Sequence, residues 1–340
     1  MSHKTSRRAL LAGAVGTAAL GASTLASAAP PDHSRGQGLG LGTTEKGNMP
    51  RHAQQPGAEG GHEMAPPLEF AYFRTWHDRA VDPTRPNSMG EIPAEIDLAF
   101  VFPDYTPDDS PFWNVLREEY VPVLHGRETR VVRTTDIRAV LDPSFPDTAD
   151  GHRANAEHLV ETLVEAHALD GLDIDMERTL DDTETARAAG VFLELSRLIG
   201  PKSGTGRLFI YDTNRDGDVP LFQATSECFD YVLVQSYGRS ASSLQSTWDS
   251  FAPFIDPEQY LIGFSFYEEN DDWNEWNDTS EPFEDSRAVE FADWQPDGAR
   301  KGGIFSYAVD RDGVAFKDDA ITHTTYEWSK ALKQRMLDQA

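Results

Sequence analysis

Between Leu68 and Val309, short runs rich in β-branched and aromatic residues alternate with stretches of helical period, and no other feature limits the possible folds so tightly. The strand-like runs are 68–76 (LEFAYFRTW), 96–102, 129–134, 169–176, 207–212, 229–237, 260–267 and 302–309. Helical patterns occupy 110–124, 152–168, 183–200, 243–254, 285–294 and 323–337, with a weaker one at 220–227. Ser, Asp and Thr stand at several helix starts as N-caps, and Gly200 follows one helix end. Eight strands alternating with helices predict an α/β chain folded as a parallel (β/α)8 TIM barrel. No internal repeat is apparent. The folded domain is expected at 66–340, and its 275 residues are close to the ~250 typical of such barrels.

Two other segments precede that domain. Residues 1–28 read as an export signal of the Tat type: the twin arginines Arg7 and Arg8, an apolar run from Ala9 to about Leu25, then Ala-Ser-Ala at 26–28. Residues 29–65 are rich in Gly, Pro, Gln and His without hydrophobic periodicity, which predicts a disordered leader. No second apolar run approaches the ~18–20 residues of a membrane span, so a secreted, extracellular protein is expected. The formal charge of -27 argues against nucleic acid and anionic membranes as partners, because both are polyanions. The single cysteine, Cys228, rules out an intramolecular disulfide, and its apolar setting predicts an inert core thiol. A monomer is the default expectation.

The fourth strand-like run is where chemistry concentrates. In LDGLDIDMER (169–178), Leu172, Ile174 and Met176 share one face, and Asp173, Asp175 and Glu177 share the other. In a (β/α)8 barrel the outward face meets helices, whereas the inward face at the C-terminal end opens into the active site. The three carboxylates therefore form an inward row with Glu177 at the rim. Neighbouring negative charges cannot all ionise cheaply, so a proton is held near neutrality, which is what a general acid requires. Asp170 falls on the other parity and is expected to help set the strand's start. Two other readings of the row are a solvated acidic strand and a Mg²⁺ or Ca²⁺ site.

Residues 170–177, DGLDIDME, match the Asp-Gly-x-Asp-x-Asp-x-Glu signature of glycoside hydrolase family 18. Segments 72–83, 87–102, 262–270, 301–315 and 329–337 closely resemble the catalytic barrel of that family's endo-β-N-acetylglucosaminidases, a branch that includes an IgG-active secreted enzyme. The resemblance runs from about Phe70 to Leu337. It implies a secreted enzyme that hydrolyses the bond between the two core GlcNAc residues of N-linked glycans, with N-glycosylated proteins as substrate and no cofactor or metal. It also implies substrate-assisted, retaining catalysis through an oxazolinium ion, an exception to the two-carboxylate scheme. Glu177 is then the acid and later the base. Asp175 orients the acetamide and stabilises the developing cation with help from Asp173, while Tyr237 bonds the acetamido oxygen and Gln235 sits beside it.

The same resemblance puts Tyr267, Glu269, Tyr307 and Asp310 in the glycan site, with Arg74, Trp76, His77 and Tyr105 on its rim. Chitinases of the family commonly have a tryptophan floor on the last strand. Tyr307 stands in that stretch here, which favours the endoglycosidase branch. A chitinase and a non-catalytic glycan-binding barrel are the competing readings, and a metal-dependent hydrolase is a fourth. Trp273 and Trp276 suit sugar stacking or loop anchoring equally. Residues 212–223 open like an EF-hand loop with Asp212, Asn214, Asp216 and Gly217, but Gln223 replaces the bidentate Glu.

Overall fold

The computed structural model describes residues 66–269 and 276–340. Residues 1–28, read above as an export signal, residues 29–65, read as a leader, and Trp273 lie outside the described residues.

Eight parallel strands close into a barrel in chain order, with the first pairing the last. They are β1 (Leu68–Arg74), β2 (Leu98–Phe102), β3 (Arg130–Asp136), β4 (Gly171–Met176), β5 (Leu208–Thr213), β6 (Tyr231–Gln235), β7 (Tyr260–Ser265) and β8 (Gly303–Tyr307). Each falls on the run expected from sequence, usually trimmed by one or two residues. The sixth run stops early because Gly238 turns the chain at φ +68, a left-handed conformation open to glycine at little cost. The helices lie between the strands, and their starts follow capping chemistry. The Thr148 side chain accepts from the Gly151 amide, Asp181 and Glu184 form a capping box, and Ser286 accepts from the Val289 amide. The helix Ile137–Val140, capped by Asp136, was not expected because four residues are too few to show a period.

Strand pairing fixes which face of each strand is inside. Leu172, Ile174 and Met176 are fully buried against the helical layer. The barrel interior below the site is aromatic: Tyr72 lies parallel to Phe100 with ring centroids 4.0 Å apart, and Phe305 meets Tyr72 edge-on at 5.7 Å. Gly263 on β7 makes this filling possible, since a Cβ there would sit 2.2 Å from the Phe305 ring. The strand's lower end is tied by Asp170, whose Oδ2 accepts from the Val131 amide at 2.7 Å and lies 2.8 Å from His125 Nε2. Lys333 secures the helix Glu327–Asp338 under the barrel by donating to Asp97 Oδ2 at 2.6 Å and to the Pro67 carbonyl at 2.7 Å. Cys228 is buried. Among the described residues, no helix is long and apolar enough to cross a membrane.

Candidate active site

The β4 row stands at the C-terminal end of the barrel. Asp173 is fully buried, and its Oδ2 accepts from the Tyr72 hydroxyl at 3.0 Å and the Thr134 hydroxyl at 2.9 Å. Its Oδ1 is buried without a hydrogen-bond partner. Burial raises its pKa to about 7, outweighing the two hydroxyls that favour the anion. Asp175 is half-buried. Burial first, then the charges of Glu177, Asp212 and Asp173, raise it well above the usual carboxylate range. Next to it, the end of β5 and the turn after it hold the backbone at 176–177: Arg215 Nη2 donates to the Glu177 carbonyl at 3.1 Å, and Thr213 Oγ1 donates to the Met176 carbonyl at 2.7 Å.

One member of the carboxylate row was not expected there. Asp212 on β5 pairs in register with Asp175, and its side chain is 3% exposed inside the barrel. Gln235 Nε2 donates to Asp212 Oδ2 at 2.8 Å and reaches Asp175 Oδ1 at 3.3 Å. Thus Asp212, considered from sequence as the first ligand of a calcium loop, is turned into the barrel and engaged by Gln235. Tyr72 was also missed; its parity on β1 matches Arg74, but a tyrosine in a strand carries no mark of the carboxylate it will meet. Tyr237 packs 6.1 Å from Tyr307 and 6.3 Å from Trp276, whose indole lies over Gly238. Burial and then the Asp212 charge push the Tyr237 hydroxyl far above its usual range, so it is a neutral donor.

The rim residues from β1, β7 and β8 come together, chiefly with one another. Arg74 is buried, with Nε and Nη2 forked onto Asp310 at 3.0 and 2.6 Å, Nη1 on Glu268 at 3.3 Å and Nη2 on Glu269 at 2.9 Å. Glu269 also meets His77 Nε2 at 2.8 Å. Its own burial would raise its pKa, but His77 and Arg74 override that and hold it well below the usual range. Glu268, which sequence reasoning passed over, accepts from the Tyr307 hydroxyl at 2.9 Å. Tyr267 donates to Asp319 at 3.0 Å. Trp76 and Tyr105 form an edge-to-face pair at 4.9 Å, and Tyr105 is 63% exposed.

The mouth is therefore two-sided. Aromatic rings from the ends of β1, β2 and β8 (Trp76, Phe102, Tyr105, Tyr307) line one side. Opposite, the loops after β4, β5 and β6 enclose a cleft of about 550 Å³ lined by Arg178, Leu180, Asn214, Arg215, Asp218 and Arg239 among others. Among the described residues, no group of three or more His, Cys, Asp or Glu is arranged to hold a metal ion. The arrangement can bind a polar, ring-shaped ligand over a donor tyrosine and a proton-holding row of acids.

Residues 71–306 match the family described as endo-beta-N-acetylglucosaminidase EndoS TIM-barrel domain. The chain is 41% identical over 333 aligned positions to endo-beta-N-acetylglucosaminidase EndoS of Streptococcus pyogenes serotype M1, covering 79% of this chain and 34% of that protein. It is 40% identical over 270 positions to endo-beta-N-acetylglucosaminidase F2 of Elizabethkingia meningoseptica, covering 78% of this chain and 80% of that one. The chain thus spans about a third of the length of its streptococcal relatives. The solved endo-beta-N-acetylglucosaminidase of Cordyceps militaris superposes with a TM-score of 0.76 at 46% identity, over 79% of this chain and 90% of that one. A mutant of that fungal enzyme has been solved with fucosyl-N-acetylglucosamine-Asn bound.

Proposed function

We propose, from the premise that this chain belongs to the family of endo-beta-N-acetylglucosaminidase EndoS TIM-barrel domains, that it hydrolyses the β-1,4 bond between the two core GlcNAc residues of N-linked glycans. The observation that carries this reading is the inward row Asp173, Asp175, Glu177 at the C-terminal mouth of a closed barrel. The ligand held by the mutant Cordyceps enzyme is the kind of product such a cut leaves on asparagine.

The chemistry follows from the row. The substrate's acetamido oxygen attacks its own anomeric carbon as Glu177 gives a proton to the departing oxygen. Asp175 accepts from the acetamide N–H and must be ionised while the oxazolinium cation exists. The positive charge of the oxazolinium ion favours the Asp175 anion, which burial and the neighbouring acids otherwise disfavour. Tyr237, a neutral donor, meets the acetamido oxygen. Glu177, now an anion, then takes a proton from water that attacks the same face the leaving group vacated, which gives net retention.

In this reading the glycan lies on the aromatic side of the mouth. The departing GlcNAc-protein occupies the polar cleft beside Arg178 and Arg215. N-glycosylated proteins, IgG among them, are the proposed substrates, and Tat export of a monomeric enzyme is the proposed route to them.

The test is mass spectrometry of folded IgG and of a high-mannose glycoprotein after incubation with the protein, beside Glu177→Gln. The expected result is loss of glycan mass that leaves one GlcNAc on asparagine. The variant should be slower by at least roughly 10²–10⁴-fold, the usual worth of general acid catalysis. Cleavage of chitin oligomers with no release from either glycoprotein would overturn the proposal in favour of a chitinase.

A further inference from the structure

Asp212 has no place in the Asp-Gly-x-Asp-x-Asp-x-Glu signature, yet it sits opposite Asp175 in the β4–β5 ladder. Its Oδ2 accepts from the Gln235 amide, the Tyr72 hydroxyl lies near enough to favour its anion, and its Oδ1 is buried without a hydrogen-bond partner, as is Oδ1 of Asp173. A primary amide has two hydrogens, so Gln235 Nε2 can serve Asp212 and Asp175 at once. A carboxylate placed this deep, with one oxygen left without a partner, is costly unless it holds a proton part of the time.

We propose that Asp212 is a positioning residue for the reaction proposed above: through the Gln235 amide it fixes the orientation of Asp175, and it extends the carboxylate row onto a second strand so that protons are shared between β4 and β5. The inference rests on the functional reading of the previous subsection. The groups that face Asp212 are Asp173, Asp175 and Glu177 from β4 and its continuation, Tyr72 from β1, and Gln235 and Tyr237 from the end of β6. Asp136 from β3 adds its charge at Asp175. None of these carries a positive charge. Whenever Asp212 is ionised it opposes ionisation of both Asp175 and Glu177, and whenever it is protonated it relieves them.

Two substitutions have opposite expected signs. Asp212→Asn keeps an acceptor for Gln235 and removes the charge. Both limbs of the kcat profile should move to lower pH, by about one unit, with KM within twofold of the wild type. Gln235→Leu keeps the charge and removes the bridge, so the acidic limb should move to higher pH and kcat should fall about tenfold. A merely structural role would lower the melting temperature of either variant and leave the limbs in place, which would overturn the proposal. If Asp212→Asn fails to fold, an unmoved acidic limb in Gln235→Leu overturns it alone.

A carboxyl titration followed by NMR on protein labelled with ¹³C at aspartate needs no substrate, so it separates this inference from the functional one. The Asp175 midpoint should drop in Asp212→Asn even if no glycan is ever released. A midpoint unchanged from the wild type would sink the idea.

Discussion

At the scale of single residues, the site depends on side chains whose partners lie far away in sequence. Tyr72 donates to Asp173 across 101 positions, and that bond joins the barrel's aromatic filling to its carboxylate row. Replacing Tyr72 with Phe leaves Thr134 as the remaining hydroxyl on Asp173 Oδ2. The hydrogen bond from Tyr72 favours the anion, so its loss should push the Asp173 pKa above about 7. Equilibrium urea denaturation should show a stability loss of about 1–3 kcal/mol, the usual penalty for leaving a buried polar group short of a partner. An unchanged midpoint would mean that the hydroxyl contributes nothing there.

The residue scale also shows what a sequence can carry. The row Asp173, Asp175, Glu177 was legible because three acids at period two are incompatible with any helix-facing surface. Asp212 was not, because its neighbours Asn214, Asp216 and Gly217 mimic a cation loop, and only the register with β4 reveals that it turns inward.

At the scale of elements, all eight strands were legible, because short runs with β-branched or aromatic residues alternate with stretches of helical period, and each was found within a few residues of its expected bounds. The connections between strand ends were not. Arg74 at the end of β1 joins Glu268 and Glu269 after β7 to Asp310 after β8 across separations of 194 to 236 residues, and no local pattern encodes such a pairing. Arg74, expected on the rim of the glycan site, is buried among three carboxylates, and Trp76 and Tyr105 beside it are more open.

Arg74→Met should therefore behave chiefly as a fold variant. Removing one partner of a buried ionic network leaves uncompensated charge and costs about 3–5 kcal/mol. Arg74→Lys should recover only part of this, because an ammonium cannot fork onto Asp310 as the guanidinium does. Chemical denaturation of both variants checks the order. Loss of glycan binding with wild-type stability in Arg74→Met would show that the guanidinium serves the ligand and not the frame.

At the scale of the whole molecule, buried acids set how stability responds to pH. Burial raises Asp173 to about 7 and Asp230 and Asp312 to about 6, above the ~3.9 expected in the unfolded chain. In this window the folded state binds more protons than the unfolded one. The stability these three contribute is thus fully present below about pH 4 and is lost as pH rises through 6 to 7. His125, raised chiefly by its hydrogen bond to Asp170, acts in the same direction around its own range. His167 opposes them: burial lowers it to about 4, so its contribution is present above its unfolded pKa of ~6.5 and is lost as pH falls. The formal charge of -27 adds self-repulsion that grows as acids ionise. The melting temperature by calorimetry should be higher at pH 5.5 than at pH 7.5, and the reverse order would show that these carboxyls are ionised in the folded protein.

The parity of β4 and β5 has one more consequence, for how such a gene can change. Since Leu172 and Asp173 face opposite ways, inserting or deleting one residue inside the strand would exchange the greasy and the acidic edges along its whole remaining length. Point substitutions at single positions leave that arrangement intact, whereas a one-codon slip would turn carboxylates into the helical layer and methyl groups into the mouth. Length variation should therefore be confined to the segments that follow the strands, such as 178–181 and 214–219, where no ladder keeps count. In a library of single-codon deletions scored for soluble expression, the two strands should appear as gaps bounded by tolerant loops.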